Sequence, residues 1–234
     1  PSLACTVGEA VGSHAPSFDV NAACVGVLYC MEIADSFFVA GKAKTALIVS
    51  AEAMSKLVDW TDRSTCVLFG DGAGAMVVRA GGGRLAGELS TRPDSHVIRM
   101  PNIEGLNSPY NRIEQEKLAM YMDGGEVYKF AVNAMGSNIA EACAQAGLTP
   151  ADIDWYLPHQ ANVRIIDASL RKFKIDKSKV LLNIAECGNM SATSVMVLLD
   201  EYAKKGTFHK GDKLLFVAFG GGLTSGAVIV TWQK

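Results

Sequence analysis

A cysteine at the head of a predicted helix is the first residue in this chain that could do chemistry. Cys24 follows the segment Asp19-Val-Asn-Ala-Ala23 and lies within the apolar run over 22–31. At a turn from a strand into a helix, its sulfur would meet the positive end of the helix dipole, which stabilises a thiolate and lowers the thiol pKa below about 8.5. A nucleophile is therefore expected here. The alternative is a small buried hydrophobic residue, which is the commoner role of a cysteine.

A histidine and an asparagine occupy comparable places later in the chain. His159 follows the apolar segment Trp155-Tyr-Leu-Pro158, and a side chain at such a strand end points into the cleft at the edge of a sheet. Asn189 precedes another predicted helix, where asparagine is also a good N-cap. Taken singly, each has an ordinary structural interpretation: a satisfied loop histidine and a helix cap. The same loop role is the better interpretation of the remaining histidines, His14, His96 and His209.

The elements that would position Cys24 form the N-terminal arm of the predicted fold. A strand over 17–21 leads into a helix over 22–40, apolar nearly all round and hence buried on every side, which Gly41 ends. The continuous apolar run over 45–51 predicts a central strand covered on both faces. Strands over 65–69 and 75–78 then form a hairpin. The glycines of 70–74 are its turn, because β residues follow them and not the helix that a phosphate-binding loop requires.

The elements that would position Asn189 repeat this order in a C-terminal arm. The phrases Phe69-Gly-Asp-Gly72 and Phe219-Gly-Gly-Gly222 mark corresponding points, and we interpret the repeat as an internal duplication whose pseudo-two-fold axis brings the helix starts at Cys24 and Asn189 together. A loop-rich insert containing Pro93, Pro101, Gly105 and Pro109 and a helix over 126–146 separate the arms. The alternation of strands and helices predicts an α/β layered fold. The predicted C-terminal elements are a strand over 180–184, a turn over 187–191, a helix over 192–205 that Gly206 ends, and strands over 214–219 and 227–232 joined by glycines 220–222.

The composition argues against several classes of protein. Among 234 residues, 49% are hydrophobic and 20% charged, as in a globular protein with a sizeable core. The net charge of −2 and the scattered lysines and arginines indicate neither a nucleic-acid footprint nor a membrane anchor, and no apolar run is long enough for a membrane span. Six cysteines without paired spacing predict a reducing, intracellular compartment and no zinc site. The sequence shows no secretory signal.

Five segments together resemble the β-ketoacyl-acyl-carrier-protein synthase III family. The Pro-His-Gln-Ala-Asn phrase, with the cysteine before it and Gly-Asn-x-Ser after it, is highly specific. Two departures are Met190, where threonine is common, and Ser225, where tryptophan is frequent. The matching segments are Asp19-Val-Asn-Ala-Ala-Cys-Val-Gly26, Thr61-Asp-Arg63 with Phe69-Gly-Asp-Gly-Ala-Gly74, Pro158-His-Gln-Ala-Asn162, Gly188-Asn-Met-Ser-Ala-Thr-Ser194 and Ala218-Phe-Gly-Gly-Gly222.

The resemblance implies a thiolase-like fold: duplicated halves in a five-layered αβαβα arrangement, with the N-terminal half truncated here as in a fragment, a cleaved form or one piece of a molecule. Three regions are expected. Residues 1–84 are the remainder of the N-terminal half with the nucleophile, 85–125 are the loop-rich insert, and 126–234 are the C-terminal half with the histidine and the asparagine. A homodimer in the cytoplasm, or in an organelle that houses type II fatty acid synthesis, is implied as well.

The implied reaction is a decarboxylative Claisen condensation of an acyl-coenzyme A primer with malonyl-acyl-carrier protein. Cys24 would carry the acyl group, and the backbone N–H groups of Cys24 and Gly221 would form the oxyanion hole. His159 and Asn189 would donate hydrogen bonds to the enolate left by loss of CO₂. No metal or other cofactor is implied, since coenzyme A enters as part of the substrate.

The resemblance also assigns binding residues. Arg63, Gly124 and Asn162 would contact coenzyme A or line its pantetheine tunnel, and Arg164, Arg171 and Lys172 would dock the acidic acyl-carrier protein. An ordinary solvated helix face is the alternative for these basic residues. Two other functions stay open: a related thiolase-fold ketosynthase of secondary metabolism, and a non-catalytic fragment or interaction subunit.

Overall fold

The computed structural model describes residues 1–100 and 119–234. Its helices are α1 (Leu3–Ala10), α2 (Gly26–Val39), α3 (Gly124–Gln145), α4 (Val163–Arg171), α5 (Ile184–Cys187) and α6 (Thr193–Lys204). Its strands are β1 (Thr45–Ala53), β2 (Asp71–Arg79), β3 (Arg84–Asp94), β4 (Ile98–Arg99), β5 (Tyr121–Met122), β6 (Trp155–Pro158), β7 (Lys213–Gly220) and β8 (Gly222–Thr231). Pro101, Gly105 and Pro109 lie outside the described residues.

Helices and sheets alternate in four layers. The central sheet has the order β3-β8-β7-β6, with β6 parallel to β7 and the other pairs antiparallel. Successive residues of β7 point to opposite faces: Leu215 and Val217 pack with α3 and α4, whereas Leu214 and Phe216 pack with α2 and α6. The antiparallel pair β1–β2 covers the other side of α2 and α6. Among the described residues, these are four of the five layers expected.

The two arms have the same order of elements, as predicted. Helix α2 is followed by the antiparallel pair β1–β2, and helix α6 by the antiparallel pair β7–β8. The helix starts meet, since a Cβ atom placed on Gly26 would lie 3.7 Å from Cβ of Ala192. Gly41 and Gly206 end their helices with φ angles of 68° and 71°, which are accessible to glycine without strain.

The predicted turn over 70–74 is wrong. Residues Asp71–Arg79 form one strand, β2, and residues 65–69 are turns, apart from a single bridge between Phe69 and Asn189. The glycines are there for close packing: a Cβ on Gly74 would lie 2.8 Å from Cβ of Met196, and one on Gly72 would collide with Met190. The absence of side chains at these glycines lets β2 approach the start of α6. A rule based on local turn residues cannot detect such a long-range contact.

Three other element predictions need correction. Within the described chain, residues 17–21 pair with no strand, and residues 180–184 contribute only a bridge from Val180 to Tyr156 before α5 begins. An apolar run predicts a strand only where a neighbouring strand can pair with it. Residues 84–94, read mostly as loop, are strand β3, because β8 offers them an edge.

Burial was overpredicted on α2 and β1. Helix α2 starts later than expected, after a 3₁₀ turn over Ala23–Val25, and its Val39 is 83% exposed. In β1 only Ile48 is buried, while Leu47 and Val49 on the outer face are exposed. Strand β1 is covered on one face by α2 and α6 and is open on the other, whereas α2 lies between the two sheets and is exposed at its C-terminal end. No helix of the described residues is both long and apolar enough to cross a membrane.

Candidate active site

Cys24, His159 and Asn189 line one cavity of about 1330 Å³. It opens between the start of α2, the end of β6, the loop before α6 and the β7–β8 turn. Gly221, Gly124 and Asn162 line it as well. The residues that the sequence singled out from distant positions therefore meet at one place, although the structure alone gives none of them a chemical role.

Cys24 sits in the 3₁₀ turn that precedes α2. Ala23 has a φ of 46°, so the chain turns sharply just before the thiol. The β7–β8 turn packs directly against it, because a Cβ on Gly220 would lie 2.8 Å from the backbone nitrogen of Cys24. Only glycine permits this approach. Gly221 follows at the same turn and lies beside Ala23.

The thiol of Cys24 is not acidified, contrary to the expectation from the helix dipole. Burial raises its pKa to about 11, and the negative charge of Glu52 adds to that increase. A hydrogen bond with the Ser191 side chain opposes the increase without cancelling it. Cys24 keeps part of its surface open to the cavity, yet desolvation is the largest of the influences on its pKa. The thiol is therefore protonated at neutral pH.

His159 is held at the end of β6 from three sides. Its backbone N–H donates to the carbonyl oxygen of Val217 at 2.8 Å, and its ring meets the ring of Phe219 edge-on with centroids 5.5 Å apart. Its Nδ1 lies 2.7 Å from Oγ of Ser194. The residue is 1% exposed, and burial lowers its pKa to about 4. The imidazole is therefore neutral at neutral pH.

Asn189 ties the two arms together. Its backbone N–H donates to the carbonyl oxygen of Leu68 at 2.9 Å, and its carbonyl oxygen accepts from the N–H of Gly70 at 3.0 Å. Its Oδ1 accepts from the N–H of Ser191 at 2.9 Å, which leaves the Nδ2 amide to donate. The N-cap interpretation fails, since Ala192 is the cap of α6.

The remaining predicted residues divide between the cavity and the surface. Asn162 lines the cavity and also caps α4, accepting from the N–H of Arg164 at 2.9 Å. Arg63 is exposed beside Ser64, which reaches the cavity lining. The basic residues Arg164, Arg171 and Lys172 are exposed along and just after α4, whose other face is buried.

Sequence reasoning missed three polar residues around the site. Ser191 has a φ of 50° and lies between Cys24 and Glu52, hydrogen bonded to both. Burial raises the pKa of the Glu52 carboxyl. Ser194 contacts His159. Both serines stand in the Gly188–Ser194 phrase, so their spacing from Asn189 was the available signal. No signal in the sequence pointed to Glu52, because this residue reaches the site only through the packing of β1 against α6.

Metal ligation finds no support in the described ranges. Nowhere in residues 1–100 and 119–234 do three or more His, Cys, Asp or Glu side chains come together in a way that could hold a metal ion.

Two family models and a curated relative match this chain over most of its length. Residues 18–94 match the family model described as 3-oxoacyl-[acyl-carrier-protein (ACP)] synthase III, and residues 143–232 match the model of its C-terminal part. The beta-ketoacyl-[acyl-carrier-protein] synthase III of Desulfitobacterium hafniense is 42% identical, over 100% of this chain and 72% of its own length.

Two solved structures share the fold. The 3-oxoacyl-[acyl-carrier-protein] synthase III of Aquifex aeolicus superposes with a TM-score of 0.90 at 40% identity, covering 99% of this chain and 72% of that one. The corresponding synthase of Thermus thermophilus gives 0.91 at 39% identity, covering 99% and 73%. The thiolase-like α/β fold predicted from the sequence is thereby confirmed.

The depressed pKa of His159 predicts a pH-dependent stability. Between about 4 and 6.5 the unfolded histidine binds a proton that the folded one does not, so the free energy of unfolding rises with pH across this window. The contribution is complete above pH 6.5 and is lost as the pH falls toward 4, amounting to about 3 kcal/mol. Urea unfolding of the wild type and of His159→Gln at several pH values measures it. Carboxylate titrations cancel in the difference, and parallel pH profiles would contradict the prediction.

Proposed function

The chain belongs to the 3-oxoacyl-[acyl-carrier-protein] synthase III family, and we propose that Cys24, His159 and Asn189 perform its condensation reaction. As a member of this family it is an acyltransferase of the condensing type, which initiates type II fatty acid synthesis. The observation that carries the residue assignment is their common cavity, at which the family's cysteine, histidine and asparagine phrases meet. Substrates, partners and residue roles are part of the proposal.

In the first half-reaction the sulfur of Cys24 attacks the thioester carbonyl of an acyl-coenzyme A. The Sγ–C bond forms as the thiol gives up its proton, and the carbonyl π electrons move to oxygen. Collapse of the tetrahedral adduct breaks the bond to the sulfur of coenzyme A, which takes up a proton and leaves as the free thiol. The backbone N–H groups of Cys24 and Gly221 stabilise the oxyanion. The close approach of the β7–β8 turn to Cys24 supports this pairing, because it sets the two backbone segments side by side.

In the second half-reaction malonyl-acyl-carrier protein loses CO₂, and the resulting enolate attacks the acyl-Cys24 thioester. The enolate oxygen needs hydrogen-bond donors. Asn189 suits this role, because its Oδ1 is occupied by Ser191 and its Nδ2 amide stays available. What His159 contributes depends on which ring nitrogen carries its proton. The product is a 3-ketoacyl chain two carbons longer, formed without a metal or a redox cofactor.

Docking of the acidic carrier protein is proposed for the exposed face of α4. Arg164 and Arg171 project from this helix, and Lys172 follows it, while Asn162 at the start of the helix lines the cavity. A carrier protein held by these cations would sit at the mouth of the site.

We also propose that the protein forms a homodimer in the cytoplasm. The exposed apolar side chains of Leu47 and Val77 on β1–β2 are consistent with a covering partner.

Separate substitutions should divide the two half-reactions. Cys24→Ser should abolish acyl transfer from radiolabelled acyl-coenzyme A, because a hydroxyl is a much weaker nucleophile than a thiol. Asn189→Ala should still be acylated but should decarboxylate malonyl-carrier protein about 10²–10³-fold more slowly, the usual effect of losing one oxyanion donor. Cys5→Ser, at an exposed cysteine outside the cavity, is the control. Normal condensation by Cys24→Ser would refute the assignment.

Charge reversal on α4 should separate docking from chemistry. Arg171→Glu should raise KM for malonyl-acyl-carrier protein about fivefold and weaken its salt dependence, since an exposed rim charge acts mainly on association. Acylation by acyl-coenzyme A should be unchanged. Lys210→Glu makes the same charge change at an exposed position after α6 and serves as the matched control. Equal effects of the two variants on KM would indicate a general charge effect and count against docking at α4.

A further inference from the structure

The segment over 180–183 lies along the outer edge of β6 and pairs with it at one point. The N–H of Leu181 donates to the carbonyl oxygen of Tyr156 at 3.0 Å, and the pairing is parallel. The other edge of β6 is occupied by β7, to which the N–H of His159 donates. Because the backbone groups of alternate residues in a strand point to opposite edges, those of Tyr156 and Pro158 face the 180–183 segment.

Pro158 interrupts this pairing. In a regular parallel ladder, residue 158 would donate its N–H to the carbonyl oxygen of Leu181 and accept from the N–H of Asn183. Proline has no N–H, so the first of these bonds cannot form. Leu181 and Asn183 are both buried, and their backbone groups therefore need another partner within the protein.

The carboxamide of Gln160 takes the place of the missing peptide group. Its Nε2 donates to the carbonyl oxygens of Pro158 at 2.8 Å and Leu181 at 3.4 Å, and its Oε1 accepts from the N–H of Asn183 at 3.1 Å. A carboxamide carries the donor and the acceptor of a peptide group, with a second hydrogen on its nitrogen. Gln160 has no exposed surface, so these bonds form without competition from solvent.

Asn183 connects this substitute pairing to the loop that carries Asn189. Its carbonyl oxygen accepts from the N–H groups of Glu186 and Cys187 at 3.1 and 3.0 Å, which starts the single turn of α5. Its Nδ2 donates to the carboxylate of Glu201 on α6 at 2.9 Å. Asn189 follows two residues after the end of α5, so its position depends on where Asn183 is held.

We infer that Gln160 is a positioning residue: its carboxamide replaces the N–H that Pro158 lacks and thereby fixes the segment that carries Asn189. The consequence for catalysis rests on the proposed function, in which Asn189 serves the decarboxylation step. Acyl transfer is assigned there to Cys24 and Gly221, which lie on other elements. Loss of the Gln160 carboxamide should therefore slow decarboxylation and spare acyl transfer.

Hydrogen exchange measures the positioning without any turnover. In Gln160→Ala, peptides covering 181–189 should exchange their amide hydrogens about tenfold faster than in the wild type, because Leu181 and Asn183 lose buried partners. Asn138→Ala is the matched control, since it removes a buried carboxamide on α3 whose Nδ2 has no hydrogen-bond partner among the described residues. It should leave exchange over 181–189 unchanged. Unchanged exchange there in Gln160→Ala would overturn the inference, whatever the activity assays give.

A second substitution should restore the pairing. Pro158→Ala supplies an N–H at residue 158, which can donate to Leu181 directly. When Gln160→Ala is made in the Pro158→Ala variant, exchange over 181–189 should therefore change by about twofold or less, so that the two positions are strongly coupled. An equal acceleration with and without Pro158→Ala would show that Gln160 does not compensate for the proline and would contradict the inference.

The two half-reactions test the consequence for the site. Gln160→Ala should slow decarboxylation of malonyl-carrier protein about tenfold, and by about twofold or less in the Pro158→Ala variant, while acyl transfer to Cys24 stays within about twofold throughout. Equal losses in both half-reactions would indicate a general effect on folding and count against a positioning role. Faster exchange with normal decarboxylation would refute the role proposed for Asn189 and support the pairing, so the two failures are distinguishable.

Discussion

Desolvation of the reactive groups is the constraint on which the whole site depends. Burial moves the pKa values of Cys24 and His159 in opposite directions, to about 11 and about 4, so both are neutral at rest. An unpaired charge in such surroundings would be costly. In the proposed reaction each charge that forms must therefore be transient. We propose that the backbone N–H groups of Cys24 and Gly221 and the side chains of Asn189 and His159 stabilise these charges.

Close backbone contact between the two arms is what brings these groups together. Gly220 approaches the backbone of Cys24, Gly70 approaches the carbonyl of Cys187, and Gly26 meets Ala192. A side chain at Gly220 or Gly70 would push the arms apart, and the cavity between them would lose its shape. The Asn189 loop is bound to Leu68 and Gly70 by backbone hydrogen bonds, so one arm positions a group that completes the site of the other.

Elements and site residues that depend on local sequence patterns were predicted correctly, whereas those that depend on contacts between distant parts of the chain were not. The helix over α6, the strands β7 and β8 and the positions of Cys24, His159 and Asn189 follow from apolar runs, glycines and specific phrases. The strand character of Gly72 and Gly74 depends on methionines more than a hundred positions away, and no local pattern reveals it. The thiol pKa was predicted with the wrong sign, because a helix terminus is visible in a sequence and the depth of burial is not. The division of the chain at residues 84 and 125 is still a proposal.

The pH dependence of Cys24 alkylation tests the central claim, a neutral thiol in a desolvated chamber, most directly. Native protein would be treated briefly with iodoacetamide over a pH series, and peptide mass spectrometry would give the rate at Cys24 separately from the other five cysteines, with exposed Cys5 reporting on the reagent. The account predicts a rate at Cys24 that keeps rising past pH 9 toward 11. A rate that levels off below pH 9 would mean a stabilised thiolate and would contradict the account.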